Sequence, residues 1–451
     1  MKSYDAQDRI PTLAVALNDF MNSDDLKKLG AVTGQKKLPT RKADLAEVIL
    51  RHLEGDRLRI VWQSLDEIQR AAVAEVAHSS GTKFPADQFR AKYGKDPNWG
   101  STEEHEYKRV PSALRFFFYG SRIMPDDLKK RLKEFVPPAA KAKVESLDEL
   151  PAVYDRPFER WNEKKKKSEH HTEAVTLVVY ESGRGAQREL FSVLRLVDAG
   201  KISVSEATHR ASAVSMDAIT AVFDAGDYYA FVPPKSKWHD DNAGPIRSFA
   251  WPLLVQAGGL AKRSGSKLQL TPAGRKALTE PAAETLKVLW ESWTYNTLVD
   301  EFSRIDAVKG QTGRAKRGLT DVSCRREAIS IELAECPVGR WISTAEFIRF
   351  LRASGCDFAV TENPWGLYLS DPQHGSFGYE GSARFLDERY VLCLLFEYAA
   401  TVGLIDVAFI PPAGARRDFH ALWGVDDLSF LSRYDGLMYF RVTPLGAYSL
   451  G

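Results

Sequence analysis

Cysteine is scarce. The four thiols, Cys324, Cys336, Cys356 and Cys393, lie 12, 20 and 37 positions apart. No CxxC pair exists to begin a zinc site, and four cysteines in 451 residues make no disulfide scaffold. Free thiols of a reducing compartment are expected, and hence a cytoplasmic protein. Long apolar runs are lacking too. The densest stretch, residues 390–400 (YVLCLLFEYAA), has the length of a core helix and falls short of a membrane span. The opening MKSYDAQDRI is polar, without the apolar segment of a secretion signal. Neither sign of charge is in excess: 62 basic residues face 60 acidic ones, for a net charge of +2. Attraction of nucleic acid by the whole molecule is thereby excluded, and any basic surface must be local.

Catalytic signatures are missing as well. Residues 30–37 (GAVTGQKK) come nearest to a phosphate-binding loop, but no hydroxyl residue follows a Gly-Lys pair to hold magnesium, and residues 310–314 (GQTGR) fail in the same way. Asp387-Glu388-Arg389-Tyr390 resembles a helicase acidic box only superficially, because no apolar strand precedes it. Pro125-Asp126-Asp127, with Lys129, reads as a helix start carrying acidic residues in its first turn. There is no HExxH, no GxSxG and no Cys/His pairing, and the nine histidines are scattered apart from His170-His171. No enzyme activity, metal or cofactor is expected.

What is present is the makings of several cores. Hydrophobic residues are 44% and aromatics 11% of a chain too long for one domain. Ser23 starts a short helix, and Thr40 is placed to cap a second in which Leu45, Val48, Ile49 and Leu53 share a face. Amphipathic segments follow at 66–78, 86–93, 112–119 and 125–135. Residues 137–172 hold Pro137-Pro138, Pro151, Pro157 and a four-lysine run after Glu163, without periodicity, and read as a linker. Beyond it lie helices expected over 189–199, 206–211 and 216–225. An apolar helix then leads to two short alternating stretches, 260–263 and 267–270, joined by Ser264-Gly265-Ser266: a β-hairpin closed by Thr271-Pro272-Ala273-Gly274. The last third repeats this order. A helix over 388–401 ends at Gly403, strands 404–409 and 437–442 follow, and Thr443-Pro444-Leu445-Gly446 closes the pair. Its wing (410–436) is longer and carries Arg416, Arg417 and Trp423. Helices leading into such a hairpin describe a winged helix, and its internal repetition argues for tandem modules.

Two resemblances follow from these residues. The stretch around LPTRKADL resembles the SAP-like helix–extension–helix modules, which would present Lys36, Lys37, Arg41 and Lys42 to phosphates; a plain helical hairpin with a solvated basic turn fits as well. The segments VLRLVDAGKISVSEATHR, IRSFAWPLLVQAGGLA, LQLTPAG and FRVTPLGAYSLG, with YGSRIMPDDLKKRLKEFVPP, resemble bacterial helicase-associated winged-helix proteins. Their winged-helix region is similar to the N-terminal domain of XPB-type repair and transcription helicases. That resemblance implies an accessory region that engages DNA or docks on a protein, and not an ATPase in itself. The end at Gly451, just after a wing strand, fits a fragment of a longer polypeptide.

The expected fold is mainly α (α+β), with tandem winged-helix modules after a small SAP-like module. The expected boundaries are 1–56 SAP-like, 57–136 helical or winged-helix-like, 137–172 linker, 173–300 winged helix, 301–330 basic loop and 331–451 winged helix with a long wing. The expected function is a non-catalytic DNA-binding accessory protein in a helicase, repair, transcription or phage-defence setting. The alternative is a scaffold whose winged helices dock a helicase or polymerase. Phosphate contacts are expected from Arg210, with His209 beside it, and from Lys262, Arg263 and Lys267 on the first wing. The flexible-looking segment 309–326 (KGQTGRAKRGLTDVSCRR) adds Lys309, Arg314, Lys316, Arg317, Arg325 and Arg326, and the second wing adds Arg416 and Arg417. The helix expected over 216–225 (MDAITAVFDA among its residues) is acidic and apolar, which weighs against base reading by the first module.

Overall fold

The structure is a computed structural model that describes residues 9–100, 111–163, 165–230, 242–356, 358–371, 375–377, 384–419 and 428–451. Trp423 and Lys164 lie outside the described residues. The fold is mainly α with small antiparallel sheets, in two compact units. Met1–Lys143 with Arg352–Gly355 form one; Val144–Leu351 with Cys356–Gly451 form the other. No described helix is long and apolar enough to cross a membrane.

In the first unit, α1 (Leu13–Asp19), α2 (Ser23–Val32), α3 (Lys42–His52), α4 (Asp56–Gln63), α5 (Glu67–His78), α6 (Ala86–Tyr93) and α7 (Asp126–Lys133) line one core. Helices this short cannot bury a face alone, so the division expected near residue 56 is not seen. Leu17, Leu29 and Ile49 are buried in the same cluster as Val73, Phe89 and Leu128. Asn22, one residue before the expected Ser23, caps α2 by accepting from the amides of Asp24 and Asp25. Thr40 caps nothing: the residue preceding α3 is Arg41, without a side-chain cap. Asp127 accepts from the amide of Leu13 (2.8 Å) and Asp126 pairs with Arg9, so the Pro-Asp-Asp start of α7 anchors the chain entry.

The second unit opens with a correction. The segment expected as a linker contains a long antiparallel hairpin, β1 (Val153–Asn162) and β2 (Lys167–Thr176), in unbroken register from Val153↔Thr176 to Asn162↔Lys167. Its polar composition hid the ladder because most described positions of the two strands are exposed, and charged pairs such as Arg156–Glu173 take the place of an apolar alternation. Only the base is held inward, by Tyr154 and Val175 against Ile410, Ala415 and Met438.

Then β3 (Val178–Tyr180) leads into α8 (Ser182–Asp198), α9 (Ala213–Thr220), α10 (Arg247–Ala257), β4 (Ala261–Ser264), β5 (Lys267–Leu270), α11 (Pro272–Ala277) and α12 (Ala282–Thr294). The helix expected over 206–211 does not form; Ser205 and Arg210 close a turn instead (N–H to O, 2.9 Å). After β6 (Val308–Lys309) come α13 (Val322–Ala334), β7 (Ile342–Ser343), α14 (Thr344–Ser354), β8 (Tyr368–Asp371) and β9 (Gly375–Phe377). The last elements are α15 (Arg384–Cys393), which continues as a π-helical stretch over Leu394–Ala399, then β10 (Ile405–Phe409), β11 (Leu437–Val442) and α16 (Pro444–Leu450).

The two Thr-Pro-x-Gly hairpins read from the sequence are both present, as β4–β5 and β10–β11. In the first copy Ser203, between α8 and α9, bridges Lys267 of β5; in the second β7 pairs with β11. Both segments run helix, short extended contact, helix, helix, hairpin, with the contact on the hairpin's second arm, and the second inserts β8 and β9 between its second and third helices. The corners match too. The Thr271 amide donates to Leu260 O at 3.0 Å and its hydroxyl to Gly259 O at 2.7 Å; Thr443 donates to Leu404 O at 2.9 Å and to Gly403 O at 2.7 Å. Both threonines then cap the following helix through Gly274 and Gly446. A Cβ on either glycine would overlap the carbonyl oxygen of Leu260 or Leu404, so the corner admits no side chain.

The third helix of each copy, α10 and the α15–π stretch, is apolar nearly all round, and such helices end up buried. Every residue from Arg247 to Val255 is buried, as is every one from Arg389 to Ala400. They pack on one another. Arg304, lying on Phe249 (3.5 Å to the ring centroid) and donating to Glu397 at 2.9 Å, is the charged pin between them.

Candidate nucleic-acid interface

The third helix of each copy is thus buried and offers no surface to a ligand. The segment 216–225, whose acidic and apolar residues weigh against base reading, is represented by α9, which carries no cation. Any nucleic-acid contact is left to hairpins and loops.

Lys309–Arg326 was expected to act as one flexible basic loop, and the structure divides it. Arg325 and Arg326 lie on the inner face of α13 with 1% and 0% exposure, so they are corrected from surface contacts to core residues. Arg325 donates to both oxygens of Asp300 (3.1 and 2.7 Å). Arg326 donates to Glu301 (2.7 Å) and to the carbonyls of Trp293, Asn296 and Val299 (2.6 Å each). Burial opposes the charge on both guanidiniums, but Asp300 for Arg325 and Glu301 for Arg326 hold each above its ordinary pKa. Asp300 and Glu301 precede the loop while Arg325 and Arg326 follow it, so two adjacent ion pairs close its base. Asp321 seals the start of α13: the amides of Cys324 and Ser323 hold its carboxyl below the usual range.

Lys309, Arg314, Lys316 and Arg317 stay outside. All four are exposed, and among the described residues none has a carboxylate within ion-pair distance. The loop that carries them is fastened along a second segment. Lys309 pairs with Tyr368 across β6 and β8; the amide of Glu362 donates to Gly318 O at 2.7 Å, and that of Thr320 to Val360 O at 3.1 Å. Gly310 is needed where the strands touch. Its φ is +88°, and a Cβ would overlap Gly366 O and stand 3.2 Å from the Leu367 Cα. The second segment adds two residues that sequence reasoning missed, Trp365 (76% exposed) and Tyr368 (38%). An aromatic inside a Pro-Trp-Gly turn was the available signal. Acidic residues lie nearby in sequence too: Glu362, which is exposed, and Asp371 at the end of β8.

The remaining candidates separate in the same way. Lys262 and Lys267 are exposed on the β4–β5 hairpin without an ion pair among the described residues, whereas Arg263 is held by Glu206 (2.9 Å) and Gly265 O. Lys36, Lys37 and Arg41 are exposed in the turn between α2 and α3, while Lys42 spends its ammonium on Asn18 O. Arg210 is half-buried against Phe249 and donates to Ser303 Oγ, and the neighbouring His209 carbonyl accepts from Gln256. Arg416 is likewise a correction. Its guanidinium is enclosed by Asp435 O, Thr344 Oγ1 and Leu437 O, where burial and the Arg389 charge depress its pKa. Arg417 beside it is half-buried.

Other charged groups also serve the core. Arg247 sits among the rings of Tyr180, Phe223 and Tyr228 and donates to Glu189, which also accepts from Trp251. Arg389 reaches Asp418 and Asp435. Among the described residues no three His, Cys, Asp or Glu side chains are gathered to hold a metal ion. Compared with protein-family models, curated proteins and solved structures, the chain finds no match.

Proposed function

We propose that this chain is a non-catalytic nucleic-acid-binding accessory protein whose second unit pairs two winged-helix modules, each covering the other's third helix. The observation that carries the reading is the clamped loop with four uncompensated cations, Lys309, Arg314, Lys316 and Arg317. Such charges gain nothing inside the protein, and phosphates supply what they lack. Lys262 and Lys267 on the first wing extend the basic surface, and Lys36, Lys37 and Arg41 offer a second one in a SAP-like setting. With both third helices buried, contact is with the backbone and not with base edges in a groove. A role beside a helicase in repair, transcription or phage defence follows from the resemblance of the winged-helix segments.

Binding of a labelled oligonucleotide across a salt series tests the proposal. Four phosphate contacts give a slope of log K on log salt of about −3 to −4. Replacing Arg314, Lys316 and Arg317 together by alanine should flatten that slope by about 2 to 3. A slope near zero would overturn the proposal.

A second reading, a scaffold that docks a protein, has its own observation. On α12, at Tyr295 just after it, and on α13 and α16, Val288, Tyr295, Ile331 and Tyr448 are exposed; Glu284 and Glu327 accept from the Tyr448 and Tyr295 hydroxyls, and Lys287 lies over the Tyr448 ring. That apolar and acidic surface suits a basic amphipathic helix. A chain that binds such a peptide and no oligonucleotide would favour it.

A further inference from the structure

Resting on the nucleic-acid reading above, we propose that Trp365 and Tyr368 form a stacking platform that makes the loop selective for single strands over duplex. The indole of Trp365 is 76% exposed, yet the backbone beneath it is fixed. It occupies a 3-10 turn, Pro364–Gly366, in which Gly366 N donates to Asn363 O (3.2 Å) and Leu367 N to Pro364 O (3.1 Å). Gly310 closes on this turn from the other strand. Along the next residues the alternation is clean: Leu367 and Leu369 are buried, and Tyr368 between them faces out. Aromatics held on a hydrogen-bonded turn (Trp365) and on a strand (Tyr368) lose little freedom when a planar ligand stacks on them.

The surroundings name that ligand. In the β6–β8 ladder Tyr368 stands opposite Lys309, and cross-strand partners of this kind have Cβ atoms about 5 Å apart. Arg314, Lys316 and Arg317 occupy the same clamped loop. An exposed aromatic surface beside unpaired cations matches a strand whose phosphates run past the cations while its bases stack on the rings. Every base offers a π-face, so the platform tolerates any sequence. In a duplex those faces are already stacked on each other, and neither module has a free helix to enter a groove. The single strand is the form this surface accepts.

The test uses the full chain, fluorescence anisotropy, a labelled oligothymidylate of about 12 nucleotides, and a mixed-sequence duplex of the same length. Stacking on one aromatic is worth a factor of about 5 to about 150 in affinity. Trp365→Ala should weaken the single strand by that factor, leave the salt slope unchanged and alter duplex binding less than about two-fold. Trp365→Phe should retain most of the affinity. Because the indole is exposed, the alanine variant should melt with the parent, which circular dichroism checks. Equal binding of both forms, or indifference of the single strand to Trp365→Ala, overturns the platform while leaving the cation reading intact. Absence of any salt-dependent binding removes both. Loss of a protein partner with unchanged oligonucleotide affinity would assign Trp365 to a protein contact instead.

Discussion

Two arginines nine positions apart in one basic segment should behave in opposite ways when removed. Arg317 is exposed and unpaired among the described residues, so Arg317→Ala should change stability by less than about 0.5 kcal/mol while weakening oligonucleotide binding. Arg326 is fully buried and makes one ion pair and three carbonyl contacts at the end of α12. Arg326→Leu strands Glu301, which is equally buried and keeps only Trp293 Nε1 (3.1 Å) and the Tyr390 hydroxyl (3.0 Å). Removing one member of a buried pair costs about 3–5 kcal/mol, a large share of the 5–15 kcal/mol that typically separates folded from unfolded chains.

Urea unfolding followed by far-ultraviolet circular dichroism measures the difference. With m near 2 kcal/mol/M, a typical value, the Arg326→Leu midpoint should fall by about 2 M. Glu301→Leu combined with Arg326→Leu should regain most of the loss, because an apolar pair of similar volume replaces buried charges at little cost. If Arg326→Leu unfolds no more easily than Arg317→Ala, or if the double variant is as weak as Arg326→Leu alone, the clamp at the loop base is wrongly assigned.

Two further outcomes test the fold. Gly274→Ala and Gly446→Ala should each destabilise the second unit by about 1–3 kcal/mol, and by similar amounts, since the new Cβ meets the same carbonyl at both corners; a neutral result at either site by chemical denaturation would break the equivalence of the copies. In the first unit, burial, helped by the Arg57 charge, pulls the His52 imidazole below its ordinary pKa of 6.5. The unfolded chain then takes up a proton first, so stability is complete above about pH 6.5 and declines as pH falls from there toward the folded value. Melting at about pH 7.5 and about pH 5.5 should show a smaller acid loss for His52→Gln than for the parent; an equal loss would refute the assignment.

The hairpins ending in Thr-Pro-x-Gly were legible because a turn glycine, a capping threonine and a Pro at the first helical position are local chemistry, fixed within about ten residues. The β1–β2 hairpin was not, because its strands are mostly polar and charged: Glu159 stands opposite His170 and Arg160 opposite Glu169, so no period of two appears in hydrophobicity. Arg317 and Arg326 were indistinguishable in the sequence. What separates them is Glu301, 25 residues upstream of Arg326 and brought to it only by the fold. Trp365 and Tyr368 escaped notice for the converse reason, since residues matter there by staying outside a core that periodicity is built to find.

Burying the third helix twice has a consequence for how the loop is presented. Among the contacts between the copies are two buried ion pairs, Arg304 with Glu397 and, nearby in sequence, Arg326 with Glu301. Buried ion pairs of this sort add little net stability compared with well-packed apolar side chains, but a displaced partner leaves a bare charge in the core. They therefore penalise slippage more than they reward packing. Arg304 leads directly into the clamped loop, and Arg325 and Arg326 directly follow it. The segment bearing Lys309, Arg314, Lys316 and Arg317 is flanked by Arg304, which pairs with Glu397 on one side, and by Arg325 and Arg326, which pair with Asp300 and Glu301 on the other. The position of the basic loop is thus set by the core beneath it.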